Sequence, residues 1–205
     1  MAKIPFILIA IGIGLLLCVF WLHAPILAFH ITAACGCYFF FITCVVLNIG
    51  IQMGRRWPYA LAVSSCEAGI VFALGTMLTG AWWGYHAWGA AWVWEPRITG
   101  LFLTTLFFVS WRIAVAIMGE EAMDNKKMTA SLIVLGIPAM AFTHLAVKLM
   151  GGIHPSQIMP AHAVGMTALH VILAIIGQIC IGVGIVWGRA RSIQKKHAYD
   201  GRRPS

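Results

Sequence analysis

Charge is what this sequence has least of. Only 10% of its 205 residues are Asp, Glu, Lys or Arg, against roughly 25% in an ordinary soluble domain. With 61% hydrophobic residues and a mean hydropathy of +0.89, there is too little polar surface to cover a globule in water, so lipid must be the solvent. Cysteine motifs are missing too. The six cysteines (Cys18, Cys35, Cys37, Cys44, Cys66 and Cys180) form no CxxC, and all lie in apolar runs. They read as small packing residues, and Cys35-x-Cys37 is too little for a metal site without partners. No Ser/His/Asp or Cys/His set offers a nucleophile, which points away from an enzyme. No linker, low-complexity tract or clear repeat divides the chain, so residues 1–205 read as one domain.

The formal charge of +8 has a membrane explanation rather than a nucleic-acid one. Six of the fourteen basic residues fall in the last seventeen positions: Arg189, Arg191, Lys195, Lys196, Arg202 and Arg203. Such a cluster is expected of a cytoplasmic tail. About 20 apolar residues span the hydrocarbon core, and six segments qualify: Ile4–Leu22, Pro25–Met53, Pro58–Gly80, Ile98–Met118, Met128–Met150 and Ala163–Trp187. The expected class is an all-α integral membrane protein with six transmembrane helices. The first segment is expected to be retained, because its apolar run is long for a signal peptide and no small-residue cleavage site follows. Placing Gly54-Arg55-Arg56, the 119–127 connection and the tail inside puts twelve basic residues inside and two, Arg97 and Lys148, outside. Both termini are then cytoplasmic.

The unusual residues gather in the outer connections. Residues 79–99 hold five of the nine tryptophans: Trp82, Trp83, Trp88, Trp92 and Trp94. An aromatic belt would spread over many helix ends. Five indoles in one external loop (81–97), interleaved with Gly84 and Gly89, read instead as a flat surface for a large planar apolar ligand. Glu95 and Arg97 follow. They can pair with each other or with a ligand's charged edge, and the Arg97 guanidinium suits a carboxylate. A planar ring with propionates fits.

Of eight histidines, His23 and His154 stand out, at the outer end of the first segment and in the outer connection after the fifth. Two imidazoles across a macrocycle would give bis-His haem iron. His30 lies seven residues after His23, two helical turns deeper if one helix carries both, and is the backup ligand. His86, inside the tryptophan stretch, can do the same. His162 and His170 read as helix-end or cofactor-edge residues, His144 as an intramembrane residue, and His197 as part of the solvated tail. Glu67, in the middle of the third segment, is costly in a bilayer unless neutral, paired or watered. It is a functional candidate, with a partner in a neighbouring subunit as one possibility. Arg112 reads as a snorkelling structural residue, and Lys148 can snorkel or meet a propionate.

The string Trp83-Gly84…Trp88-Gly89-Ala90-Ala91-Trp92-Val93-Trp94-Glu95-Pro96-Arg97-Ile98-Thr99 resembles the tryptophan-rich "WWD" signature of haem-handling membrane proteins. Its ending is similar to the Arg-Leu-Thr of the CcmC family, haem exporter protein C of cytochrome c maturation system I. Leu22-His23-Ala24-Pro25 is similar to that family's His-Val-Pro, and His144-x-x-Val147-Lys148…His154 to its His-x-Ser-Val-(Glu/Lys)-Trp-Trp-x-x-Leu-His. The chain departs from the pattern at Glu95 (usually Asp), at Ala91, and at Leu149-Met150 in place of a tryptophan pair. The resemblance implies a non-enzymatic carrier in the bacterial inner membrane. Haem b would lie at the periplasmic face between His23 and His154 on Trp82, Trp83, Trp88, Trp92 and Trp94, with Arg97 at its edge. It would be passed to the haem chaperone CcmE, alongside the ABC-type subunits CcmA and CcmB and the small subunit CcmD. The rival readings are a system II cytochrome c synthase component, a b-type electron-transfer subunit, and a plain transporter centred on Glu67.

Overall fold

The computed structural model describes residues 3–22, 25–54, 59–118, 131–154 and 165–200. These are helical almost throughout: α1 (Ile4–Trp21), α2 (Ile26–Gln52), α3 (Tyr59–Trp88), α4 (Pro96–Met118), α5 (Ile137–Met150) and α6 (Ala168–Asp200). Five of them, all but α5, are long and apolar enough to cross a membrane. The chain is a multi-pass membrane protein. α5 has 14 residues and follows directly on a π-helical turn, Leu132–Gly136. The turn has a local cause. Pro138 has no N–H to donate and its ring presses on the carbonyl four residues back; the backbone widens there, and Ile137 N–H bonds to the Leu132 carbonyl instead. The start of the segment expected at Met128–Met150 lies outside the described residues.

Three boundaries differ from the sequence expectation. α3 does not stop at Gly80 but runs two turns further to Trp88, so the expected external loop shrinks to residues 89–95. Gly80 is helical; the helix ends where Gly89 adopts φ +74° and its N–H bonds to the Tyr85 carbonyl. That left-handed position after a helix favours glycine. α4 starts at Pro96, which puts Arg97 on the helix. α6 starts at Ala168 rather than 163 and continues through the basic stretch to Asp200, because Arg, Lys, Gln and Ala are good helix formers in water as well as at the membrane edge.

The helices pack as α2 on α3, α1 on α6 and α4 on α5, with α3 and α2 also touching α6. Lipid is as apolar as the core, so small residues, which let backbones approach, decide which faces meet. A Cβ on Gly12 of α1 would sit 2.6 Å from the Gly177 carbonyl of α6, and one on Gly184 would sit 2.8 Å from the Pro5 carbonyl. Between α2 and α3, Phe72 fills the space over Gly36 and Phe41 that over Gly69. Phe41 also stacks on Phe108 of α4 at 3.9 Å and 8°. Buried Cys37, Cys44 and Cys66 pack in the same core, as expected, whereas Cys18 and Cys35 are exposed and Cys180 is half-buried. Phe6, Leu17 and Ile117 are among the large side chains left exposed, on surfaces suited to lipid. Intrahelical carbonyls take up hydroxyl and amide protons: Thr32 donates to Ala28, Asn48 to Cys44, Thr76 to Phe72 and Thr105 to Leu101. Such back-bonding satisfies polar side chains where no water is at hand.

Candidate functional site

The end of the bundle bearing the tryptophans brings together the close of α3, the start of α4, the outer turns of α2 and the chain following α5. Glu95 organises it. Its Oε1 accepts a hydrogen bond from the Ile98 N–H at 2.7 Å, and its carbonyl accepts one from the Thr99 N–H at 2.9 Å. Glu95 is therefore the N-cap of α4, with Pro96 at the first helical position, where a missing N–H costs nothing and negative charge is favoured. The side chain is 5% exposed. Its cap-making Oε1 also lies 3.2 Å from His154 Nδ1.

His154 reaches this place because α5 ends at Met150 and Gly151 turns the chain with φ +74°. Its ring centre is 5.4 Å from Trp88, 6.3 Å from Trp83 and 6.4 Å from His30. Burial holds its pKa below the ordinary imidazole value; the Glu95 carboxylate pulls it upward, while Arg97 and His30 push it down. The net direction is toward the neutral ring, which is the form that binds metals. The approach to Glu95 is close but not aligned as a hydrogen bond. His154 Nδ1 and Glu95 Oε2 are both buried without a hydrogen-bond partner among the described residues. Unsatisfied buried polar atoms are rare, and a pair of them marks a place where structure is not serving stability.

His30, on the second turn of α2, lies across from His154. Its Nδ1 is 3.0 Å from the Thr76 carbonyl and 3.3 Å from Thr79 Oγ1. A carbonyl only accepts, so Nδ1 carries the proton and Nε2 holds a free lone pair. Gly80 makes the approach possible, since a Cβ there would stand 2.8 Å from His30 Cε1.

The five expected tryptophans do not share one plane. Trp83 and Trp88 meet at 76° beside His154; Trp92 and Trp94 meet at 78°, both against Phe102 of α4. Trp82 turns outward beside His86, whose Nδ1 is 2.9 Å from the Trp82 carbonyl. Trp83 and Trp88 project from α3 at different angles, whereas Trp92 and Trp94 follow Gly89 on a non-helical stretch that ends in a tight turn, where the Glu95 N–H bonds to the Val93 carbonyl. Arg97 sits in the first turn of α4, near enough for its charge to act on His154. His23 and His162 lie outside the described residues. α2 begins at Ile26, after His23, so the helical phase relation between His23 and His30 does not apply. His144 is in the middle of α5, its ring edge-on to Tyr38 at 4.7 Å. His170 helps close the start of α6, exchanging hydrogen bonds with Thr167 in the manner of a capping box.

Two residues matter that the sequence did not single out for these roles: Glu95 as cap and histidine neighbour, and Arg189 as a partner of Glu67. Glu95-Pro96 ahead of an apolar run is a readable helix start; Arg189 is 122 positions from its partner and leaves no local signal. Glu67 finds partners within the chain. It accepts from Arg112 Nε at 2.8 Å and Nη2 at 2.7 Å, and from Arg189 Nη2 at 2.9 Å. Arg112 is thus an ion-pair partner rather than a snorkelling residue.

The donor set limits the chemistry. Among the described residues, no three His, Cys, Asp or Glu side chains gather as a metal cluster. Two imidazoles do not hold a bare zinc ion, but a porphyrin brings four nitrogens of its own and asks the protein for two. Apolar rings, a half-buried imidazole and a nearby guanidinium fit such a group.

No family model matches the chain. Among curated proteins it is 29% identical over 104 residues to "Heme exporter protein C" of Rhodobacter capsulatus and 30% identical over 108 residues to that of Paracoccus denitrificans. These alignments take in 50% and 52% of this chain and 41% and 43% of the relatives, so the matched stretch spans less than half their length. It is also 29% identical over 107 residues to "Cytochrome c biogenesis protein CcsA" of Phaseolus vulgaris, covering 51% of this chain and 30% of that protein. By these alignments the chain is a distant homologue, at about 30% identity over half its length, of the haem exporter C and CcsA proteins of cytochrome c biogenesis.

Proposed function

We propose that this protein carries haem b at the tryptophan-bearing end of its helices and hands it to a dedicated acceptor, without itself catalysing a bond change. One observation carries the reading: a half-buried, neutral-leaning His154 flanked by Trp83 and Trp88, with a carboxylate 3.2 Å from an Nδ1 that has no hydrogen-bond partner among the described residues. A carboxylate behind a histidine orients the ring and raises its basicity toward a metal on the other nitrogen. His154 is one axial ligand and His23 the other. Trp83 and Trp88 lie against the macrocycle. Trp82, Trp92 and Trp94 offer exposed indole surface toward its edge or toward the acceptor, and Arg97 takes a propionate.

On this reading the π turn and α5 belong to a sixth span, and the distribution of basic residues supports cytoplasmic termini and a site on the periplasmic side of a bacterial inner membrane. The resemblance to the CcmC family supplies the partners: CcmE as acceptor, CcmA and CcmB as ATPase subunits, and CcmD. The test is the absorbance spectrum of the detergent-purified protein supplied with haem, beside His154→Ala. Low-spin haem in the wild type, lost or shifted in the variant, supports the carrier; a colourless wild type rejects it.

The CcsA similarity favours a second reading, in which the chain is part of a cytochrome c synthase. Co-expression with an apocytochrome c in cells lacking CcmE separates the two. Covalent haem attachment there favours the synthase, and its absence the carrier.

A further inference from the structure

At the end of the bundle away from the tryptophans, α2, α3 and α6 leave a groove of about 560 Å³ between them. The pattern that builds it is readable on α6. Val183, Trp187 and Arg191 recur every four positions, and Val186, Ala190 and Gln194 do the same beside them, so two neighbouring rows of one helix face line the groove. Val183 and Gln194 are eleven positions apart, about 16 Å by helical rise. That is the depth of one leaflet of a hydrocarbon core about 30 Å thick. Phe39 and Leu47 of α2 and Leu61 of α3 supply apolar wall, and the Thr43 hydroxyl is turned back onto the Phe39 carbonyl. Charge enters at one end. The Arg191 guanidinium lies 5.6 Å from the centre of the Trp187 ring, a cation–π contact that holds it at the groove. Lys195 stands one turn further along the same face. Arg189, two positions from Arg191, is taken up by Glu67 instead.

We propose that this groove binds one anionic phospholipid, with an acyl chain along Val183, Phe39 and Leu47 and the phosphate held by Arg191 and Gln194 in the field of Lys195. Helices meet in lipid through small residues that let backbones approach. This groove presents bulky side chains, with Phe39 63% and Val183 44% exposed, and Gly182 of α6 is already covered by Phe40. A flexible acyl chain can follow such a wall where a rigid helix cannot. A guanidinium suits a phosphate, and basic pockets between membrane helices select anionic headgroups. Trp187 takes the level between chain and headgroup, where indoles are favoured. On the orientation proposed above this is the cytoplasmic leaflet, whose anionic lipids attract basic segments. Seated there, the lipid braces α6 against α2 and α3.

The test uses the full-length protein, delipidated in detergent and given phosphatidylglycerol, phosphatidylcholine or inorganic phosphate, with native mass spectra and thermal midpoints as readouts. Wild type is expected to keep one phosphatidylglycerol per chain, at least about tenfold tighter than phosphatidylcholine, and to be unmoved by phosphate alone. Arg191→Gln should bring the two lipids to within about threefold of each other. Because losing the contact with Trp187 can loosen α6, Arg191→Lys is made alongside; it keeps the charge and should keep most of the preference. Val183→Trp puts an indole into the groove from an exposed position and should lose both lipids with the charges intact. Lys196→Gln, an exposed charge off these two rows, should bind as wild type does. Equal retention of the two lipids by wild type, a preference that survives Arg191→Gln, or an equal fall in Lys196→Gln overturns the proposal. Stabilisation by phosphate alone overturns it in favour of a free anion, and a dimer in lipid-free detergent that Val183→Trp abolishes gives the groove to a second copy. Each outcome leaves the haem reading untouched.

Discussion

The molecule holds two carboxylates away from water, Glu67 half-buried and Glu95 buried, and treats them in opposite ways. Glu67, toward the far end of α3, is surrounded by donors: Arg112 from α4 and Arg189 from α6 together satisfy both of its oxygens. Glu95, at the tryptophan-bearing end, is more deeply buried, yet one oxygen has no hydrogen-bond partner among the described residues and the other is shared between a helix cap and a misaligned imidazole. A low-dielectric setting penalises unmet polar atoms heavily. A fold able to satisfy one carboxylate with two guanidiniums has not done so with the other. The first is a clamp joining three helices; the second keeps polar atoms without hydrogen-bond partners among the described residues, as the proposed ligand site would.

The sharpest way to break the comparison is at the clamp. Glu67→Ala leaves two guanidiniums facing each other with no counter-charge. Removing one partner of a buried ion pair costs about 3–5 kcal/mol, and the lower part of that range applies because Arg189 is half exposed. The expected outcome is a large fall in thermal stability in detergent and in the yield of folded protein, equal with and without haem. If Glu67→Ala folded normally but lost haem uptake, the clamp and site assignments would have to be exchanged.

The second effect belongs to the other end. His154→Ala removes a ring whose Nδ1 has no hydrogen-bond partner among the described residues, so thermal stability should move little, within about 1 kcal/mol for a partly exposed loop residue, while the low-spin haem spectrum is lost. Loss of both together would reduce His154 to a packing residue.

How much of this was readable in the sequence follows the same division. The apolar runs gave helices α1 to α4 and α6 their places, because span length is set by bilayer thickness. Their ends were harder. Gly80 looked like punctuation but lies inside α3, where it makes room for His30; the stretch from Trp82 to Trp88 is compatible with helix, and the real stop is Gly89. The partners of Glu67 lie 45 and 122 positions away, and the approach of His30 to His154 joins α2 to the chain after α5. No local pattern encodes such meetings; they follow from which glycine faces allow which helices to pack. The tryptophan cluster was legible as a candidate site by its density, but its division into two edge-to-face pairs was not.

A subtler change separates the two jobs of Glu95. Glu95→Gln keeps an oxygen able to accept from the Ile98 N–H, so α4 should stay capped and stability nearly unchanged. The charge behind His154 is gone, and loss of an outer-shell carboxylate weakens metal binding by about 10–100-fold. A haem titration showing weaker binding at unchanged thermal midpoint would confirm that the carboxylate is held for the histidine. A drop in both, equal to that of Glu95→Ala, would make it a helix cap and nothing more.

The smallest expected effect is the most selective. In Gly80→Ala the added methyl group meets His30 Cε1 at 2.8 Å, a contact that only a shift of the ring or of α2 can relieve. The His30 ring would be pushed off its Thr76 and Thr79 partners while His154, Trp83 and Glu95 stay as they are. With His23 present, haem affinity should change by no more than about threefold, since iron can rest on His23 and His154; the same substitution made with His23→Ala should weaken binding by about tenfold or more. The measurement is a pair of haem titrations, and what matters is their non-additivity, because two substitutions couple only when they act on one shared interaction. Strictly additive effects would mean that the space over Gly80 serves only the packing of α2 on α3.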